Sequence, residues 1–437
     1  MSAKRKLLGR LAGVGSASVA QATQSATTLI VSMLAARLLG IEALGLFSIL
    51  YGAFVLAAGI TTGFIGDSLM VLDRHNPSIR AGLAAWFVIL SLIIGLAGFA
   101  MTWIGFKFTI GGAMLYALAA ITFVGEDLVR RNHMALLGFY RIIVMDLVVM
   151  VATCGVIAAV ILAGNASIES FLFAIICGQS CGMFLGWFIL PISERLPVSG
   201  SIAWKPVASY GFWRAALQGL RPGFLTLTRV IVIGAVSLAA AGSLEAARIY
   251  AAPAMLLVAG TCSYLFAHMA RGTQSGIADQ LRSTDKAVRR LMLATAGCMA
   301  IGLLLLPWGG PIVTGMMPSA LAVSGWLVYS MAVALSTPYG LLAAVRDRAR
   351  GVFVVRILDC SVSLALVVGV MLISGDYRWV PWAAALGALA GGYAIRRFVV
   401  GALLNQEESA LDTVEGSTEL GRGTANVPNS LKEHDHS

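Results

Sequence analysis

The chain has 437 residues, 58% of them hydrophobic and only 12% charged, with a net charge of +10 and a mean hydropathy of +0.85. An ordinary soluble domain carries about 25% charged residues, so this sequence cannot clothe a water-exposed surface and its outer face must meet lipid. At about 20 apolar residues per span, the length accommodates roughly twelve membrane helices and leaves no room for a sizeable soluble domain. The positive charge does not point to nucleic acid, because the basic residues fall between the apolar runs, where the positive-inside rule puts them.

The first ten residues are basic (Lys4, Arg5, Lys6, Arg10) and an apolar run follows. Ala20-Gln21-Ala22 resembles a signal-peptidase site, but the preceding stretch is rich in Gly and Ser and the apolar run continues to Leu39. It reads as an uncleaved first span. Spans are expected at 14–39, 44–66, 81–104, 108–126, 142–163 and 167–190, then at 212–241, 244–267, 291–307, 318–341, 353–374 and 379–400. The chain therefore divides into a six-helix lobe at 1–196, a second at 197–400, and a polar tail at 401–437, too poor in apolar side chains to fold alone. Every second connection is basic, and only Arg37, Lys107, Arg248 and Arg378 fall on the opposite side. That alternation predicts an all-α polytopic membrane protein with both termini in the cytoplasm.

The halves look duplicated. Gly40 to Phe47 lies between the first two spans, and Gly242 to Ile249 between the seventh and eighth. Gly138 precedes Asp146 by eight residues, as Gly351 precedes Asp359. Six spans per half give both halves the same orientation, hence two pseudo-symmetric lobes about an axis along the membrane normal.

Intramembrane polar residues are costly and carry most of the functional information. Ser18, Gln21, Ser25, Thr28 and Ser32 recur every three or four residues and share a face of the first span, with Gln24 at its edge. They either line a cavity or hydrogen-bond between helices. In the seventh span Arg214, Gln218 and Arg221 share a face, and Arg229 lies deeper. A guanidinium there must face protein or a water-filled cavity; it either holds an anionic substrate, phosphate being its preferred bidentate partner, or pairs with an acid on another span. Asp67, Glu126, Asp146 and Asp359 are candidates for carrying a coupling proton or sodium ion; Asp146 and Asp359 also have arginines (Arg141, Arg356) near enough to form local pairs. All six cysteines lie in apolar runs and read as packing residues. No metal-spaced His/Cys/acid set, P-loop or serine elbow occurs, so neither a metal, a cofactor nor enzymatic activity is expected.

Ala36-Arg37-Leu38-Leu39-Gly40, Leu44-Gly45-Leu46-Phe47-Ser48, and Glu126-Asp127-Leu128-Val129-Arg130-Arg131 through Gly138-Phe139-Tyr140-Arg141 resemble the polysaccharide-flippase branch of the multidrug/oligosaccharidyl-lipid/polysaccharide exporter superfamily. A weaker counterpart, Trp213 to Ile249, opens the second half. The resemblance implies two lobes around a cationic cavity that alternates its access while moving an undecaprenyl-diphosphate-linked oligosaccharide across a bacterial inner membrane. It implies membrane lipids and polysaccharide polymerase or export machinery as partners. Arg229, Arg221 and Arg214 would meet the diphosphate, with Gln218, Gln21, Gln24, Ser18, Ser25 and Thr28 at the sugars. The alternatives are an ion-coupled multidrug exporter of the same fold, which calls for an acidic cavity, and a membrane polysaccharide polymerase or assembly protein, which calls for a long outer loop.

Overall fold

The computed structural model describes residues 2–73, 75–195, 201–271, 276–346 and 348–404. Twelve membrane-length helices follow one another: α1 Ser2–Leu38, α2 Ile41–Val71, α3 Pro77–Gly105, α4 Ile110–Ala135, α5 Phe139–Leu162, α6 Ile168–Ile189, α7 Trp204–Ala235, α8 Leu238–Arg271, α9 Ile277–Thr314, α10 Ala320–Val345, α11 Ala349–Ile373 and α12 Tyr377–Leu404. A single helical turn, Ile192–Arg195, follows α6. No strand occurs among the described residues. In a bilayer the helix is the natural solution, since every backbone donor and acceptor is satisfied within the segment.

Nine of these helices are long and apolar enough to cross a membrane. Of the others, α1 and α7, 37 and 32 residues long, carry the polar stripes read from the sequence. Helix starts follow local chemistry. Asn76 accepts from the Ser78 amide with Pro77 in the first turn, Thr109 from the Gly112 amide, and Ser167 from the Ser170 amide. α9 is longer than its apolar run because a charged amphipathic stretch, Ile277 to Arg290, precedes the lipophilic part. α2 contains a wholly buried π-helical turn at Thr62–Gly66.

The helix pairs of the first six recur, shifted by six, in the second. α3 packs on α4 as α9 on α10, α4 on α6 as α10 on α12, α5 on α6 as α11 on α12, and α1 on α5 as α7 on α11. The small residues expected at close approaches are there: a Cβ on Gly178 would strike Thr153, one on Gly387 would strike Ser363, and one on Gly391 would strike Asp359. These paired contacts set the repeat register at 210 residues between α5 and α11, so Asp359 corresponds to Val149 and not to Asp146. The expected correspondence of Asp146 with Asp359 is therefore corrected by nearly one helical turn. The register at the start of the halves also moves. α7 ends at Ala235 and α8 begins at Leu238, so Gly242 lies inside α8 rather than in a turn, and it is Gly45 that it matches.

The halves meet along α2, α7, α8 and α1. α2 and α7 run antiparallel in close contact over their length: Cβ atoms on Gly59 and Gly63 would press on the backbone of Gln218 and Arg214, and one on Gly211 on that of Phe64. The opposite side of the interface, between α1 and α8, is not zipped and leaves a cavity. Of the tail expected at 401–437, residues 401–404 complete α12, and 405–437 lie outside the described residues.

Candidate substrate cavity

A cavity of about 420 Å³ lies between the halves, walled by α1, α2, α4, α7 and α8. α1 and α7, the helices that carry the polar stripes, both line it, which explains their polarity. α1 contributes Gln21, Gln24, Ser25, Thr28 and Ser32, four of them among the expected contacts and all on one face; α7 contributes Gln218. Ser18 lies outside the residues whose side chains are described. Thr23 and Thr27, on the other flank of α1, bond back to the Val19 and Thr23 carbonyls of their own helix. The Tyr51 hydroxyl donates to Thr28 Oγ1 at 3.1 Å, and the Tyr51 ring meets Phe123 edge-on at 6.0 Å, giving the wall an aromatic corner.

The cavity's cations are Arg131 and Arg248, from α4 and α8. Sequence reading had placed Arg248 at a span end and given Arg131 only to a basic inner loop. Arg248 is carried inward because α8 begins six residues earlier than expected. Its Nε donates to Glu245 Oε2 at 2.9 Å, and Arg229 Nη2 lies 3.2 Å from the same oxygen. Glu245 therefore holds two guanidiniums, one facing the cavity and one behind it. Arg229 does not line the cavity: its side chain is 11% exposed, Nη1 reaches toward the Leu225 carbonyl, and it packs against Gly52 of α2. Of the two sequence alternatives for Arg229, the ion pair with an acid on another span is the one formed.

The other two arginines of α7 are likewise engaged elsewhere. Arg214 donates to Asp67 Oδ2 through Nε at 2.8 Å and Nη2 at 2.7 Å, across the α2–α7 seam. Arg221 lies 5.5 Å from the ring centroid of Tyr329 in the second half. Asp359 pairs with Arg356 at 3.1 Å, and Arg356 also donates to Ser336.

Arg131 lies 3.5 Å from Asp127, the cavity's carboxylate, whose other oxygen accepts from Thr62 at 2.6 Å. Behind Asp127 the wall opens into a small chamber of about 60 Å³ reached past Gln24, Thr28 and Tyr51. Glu126, Asp146 and Gln179 line it, and Glu126 Oε1, Asp146 Oδ2 and Gln179 Oε1 are buried without a hydrogen-bonding partner. Asp146 pairs through its other oxygen with Arg130, at 3.4 Å, instead of with Arg141. Three acceptor oxygens without donors thus belong to residues around a space large enough for water.

No model of a known protein family matches the sequence, and no curated protein does. Solved structures do match in fold. A multidrug-resistance MATE family transporter of the MOP superfamily in its inward-facing conformation superposes with a TM-score of 0.67 at 14% identity, covering 87% of this chain and 95% of that one. The outward-facing conformation of such a transporter gives 0.62 at 12% identity, over 90% and 96%. A MOP superfamily transporter from Pyrococcus furiosus, described as having a binding pocket of reverse polarity, gives 0.62 at 11% identity over the same shares. At these identities the likeness is one of fold: the chain is an all-α, multi-pass membrane protein of MATE-like architecture.

Proposed function

We propose that the chain moves a lipid-linked oligosaccharide carrying a diphosphate across a bacterial cytoplasmic membrane by alternating access. One observation carries this reading: the cavity presents a guanidinium from each half, Arg131 and Arg248, amid the amides of Gln21, Gln24 and Gln218 and the hydroxyls of Ser25 and Thr28. Guanidinium favours phosphate, and amides and hydroxyls suit sugar hydroxyls. The cavity volume falls in the range of small-molecule sites, about 300–1,000 Å³. With the N-terminus cytoplasmic, the end where α1 turns into α2 faces outward. The halves touch there, Gly45 against Leu238 and Gly315 against Arg37, which in this reading closes the outward side.

The coupling ion, proton or sodium, is assigned in this reading to Glu126, Asp146 and Gln179. Their chamber opens from the substrate cavity, so its occupancy and that of the cavity bias the same helices, α1, α4 and α5. Asp67 and Asp359, tied to Arg214 and Arg356, keep structural roles. In place of the three α7 arginines, Arg248 and Arg131 take the diphosphate, and Gln218 remains at the sugar. The polymerase and export machinery implied by the resemblance stay as proposed partners.

Export of organic cations is the second reading, favoured by Asp127 and the Tyr51–Phe123 corner and by the description of the similar structures. It is weaker because Asp127 and Glu245 together face three guanidiniums, those of Arg131, Arg248 and Arg229, which leaves one positive charge around the cavity. Gene deletion followed by localisation of lipid-linked repeat units separates the two. Repeat units accumulating on the cytoplasmic leaflet, cleared by the wild type and not by Arg248→Ala, support the flippase. Intact glycan export with new sensitivity to cationic dyes supports the exporter.

A further inference from the structure

On the far side of the first half from the substrate cavity, a pocket of about 340 Å³ lies between α2, α3, α4, α6 and the turn Ile192–Arg195. Its inner wall is apolar, built from Ile65, Leu69, Leu83, Phe87, Leu128 and Trp187; its rim carries Arg80, Arg195, Asn132 and Glu194. Arg80 Nη1 donates to the Ser193 carbonyl at 2.6 Å, whereas Nη2 is buried without a partner. Arg195 donates to the Leu190 and Phe188 carbonyls, closing the C-terminus of α6.

The pocket lies at a membrane boundary. Arg80 is in the first turn of α3, Trp187 lies near the end of α6 and Trp204 opens α7, Trp86 donating to the Trp204 carbonyl at 3.2 Å. Tryptophan favours this depth, and Ile192 on the short turn is 70% exposed. We propose that the pocket binds one phospholipid, its phosphodiester on Arg80 and one acyl chain in the trough floored by Leu83 and Phe87.

Three features select that ligand. A buried guanidinium N–H left unmatched is costly, and at this depth the bilayer offers phosphate. The rim presents two guanidiniums, Arg80 and Arg195, to one anionic head group. The trough continues from the rim into the hydrocarbon zone past Ala84 and Val88, both exposed, as an acyl chain attached to that head group must. Ile65 belongs to the π-helical turn of α2 and its neighbours Gly63 and Phe64 press on α7, so the lipid would brace the point where the halves are joined. The proposal is independent of what the central cavity transports.

The test is native mass spectrometry of the full chain, delipidated in detergent and offered phosphatidylglycerol, diacylglycerol or inorganic phosphate. One phosphatidylglycerol should stay bound at energies that strip the rest. Arg80→Gln should lower its occupancy about tenfold, the effect of roughly 1.4 kcal/mol. Ala84→Trp, which fills the trough and leaves Arg80 and its bond to Ser193 in place, should lower it as well, and decides the matter even if Arg80→Gln does not fold. Wild-type occupancy in Ala84→Trp, equal retention of diacylglycerol, or full competition by inorganic phosphate would overturn the assignment.

Discussion

Gly45 of α2 and Gly242 of α8 face each other across the interface: a Cβ on Gly45 would run into the Leu238 carbonyl, and one on Gly242 into that of Ile41. The two contacts are the same contact seen from each half, 197 residues apart, and they mark where the pseudo-two-fold passes between the lobes. Only a residue without a side chain permits such backbone approach.

Enlarging either glycine should wedge the halves apart at that end. Gly45→Val and Gly242→Val are each expected to cost about 1–3 kcal/mol, the usual penalty of overpacking, and to do so equally. Thermal unfolding in detergent checks this. A large effect at one glycine and none at the other would remove the symmetry argument.

Arg248 and Arg229 share Glu245 but do different work, so their variants should separate. Arg248→Gln leaves Arg229 paired with Glu245 and is expected to fold normally while losing substrate binding. Arg229→Gln takes a cation from a side chain 11% exposed, next to a carboxylate 7% exposed. Glu245→Gln leaves two guanidiniums facing an amide, and breaking a buried pair in this way costs about 3–5 kcal/mol. Yield and monodispersity should therefore fall for Glu245→Gln, less for Arg229→Gln, and not for Arg248→Gln. Equal loss of yield in all three would mean that Arg248 is also structural.

Much of this architecture was legible in the sequence because hydropathy and helical periodicity are local. The twelve helices follow the apolar runs, and the 3–4 spacing of Gln21, Ser25, Thr28 and Ser32 placed them on the face that lines the cavity. What was not legible depends on which helix lies against which. Asp67 meets Arg214 from 147 residues away, a pairing no local pattern encodes. Arg248 was missed for a different reason. Gly242 looked like the turn, whereas the chain breaks at Val236-Ser237, just after Gly234, and the Val236 backbone (φ −126°, ψ −80°) makes the corner. A break moved by six residues turns a loop arginine into a cavity arginine.

The side chamber makes a separable prediction. Glu126→Gln preserves shape and removes the charge that would hold a proton or sodium ion. Ion-driven transport should drop about tenfold, within the range typical of coupled sites, while binding of a diphosphate-bearing probe in the cavity stays unchanged. Counterflow in proteoliposomes with and without an imposed ion gradient reads both. If transport without a gradient falls equally, the chamber shapes the protein but does not couple it.

The Asp67–Arg214 pair joins α2 to α7 beside the π-helical turn, with side chains 12% and 36% exposed. Hydrogen bonds to charged groups contribute about 1.5–3 kcal/mol, and the exposure of Arg214 argues for the lower end because solvent screens it. Asp67→Asn and Arg214→Gln should each therefore lower stability by about 1–2 kcal/mol. Asp67→Arg should do more harm, since it sets two guanidiniums against each other at the seam. Adding Arg214→Asp to it restores the attraction with its sign reversed and should recover part of the loss. Thermal melts of the four single variants, Arg214→Asp among them, and of the exchanged pair measure this. An exchanged pair as unstable as the sum of its parts would show that the seam is held by the glycine contacts of α2 and α7 alone and that the ion pair only decorates it.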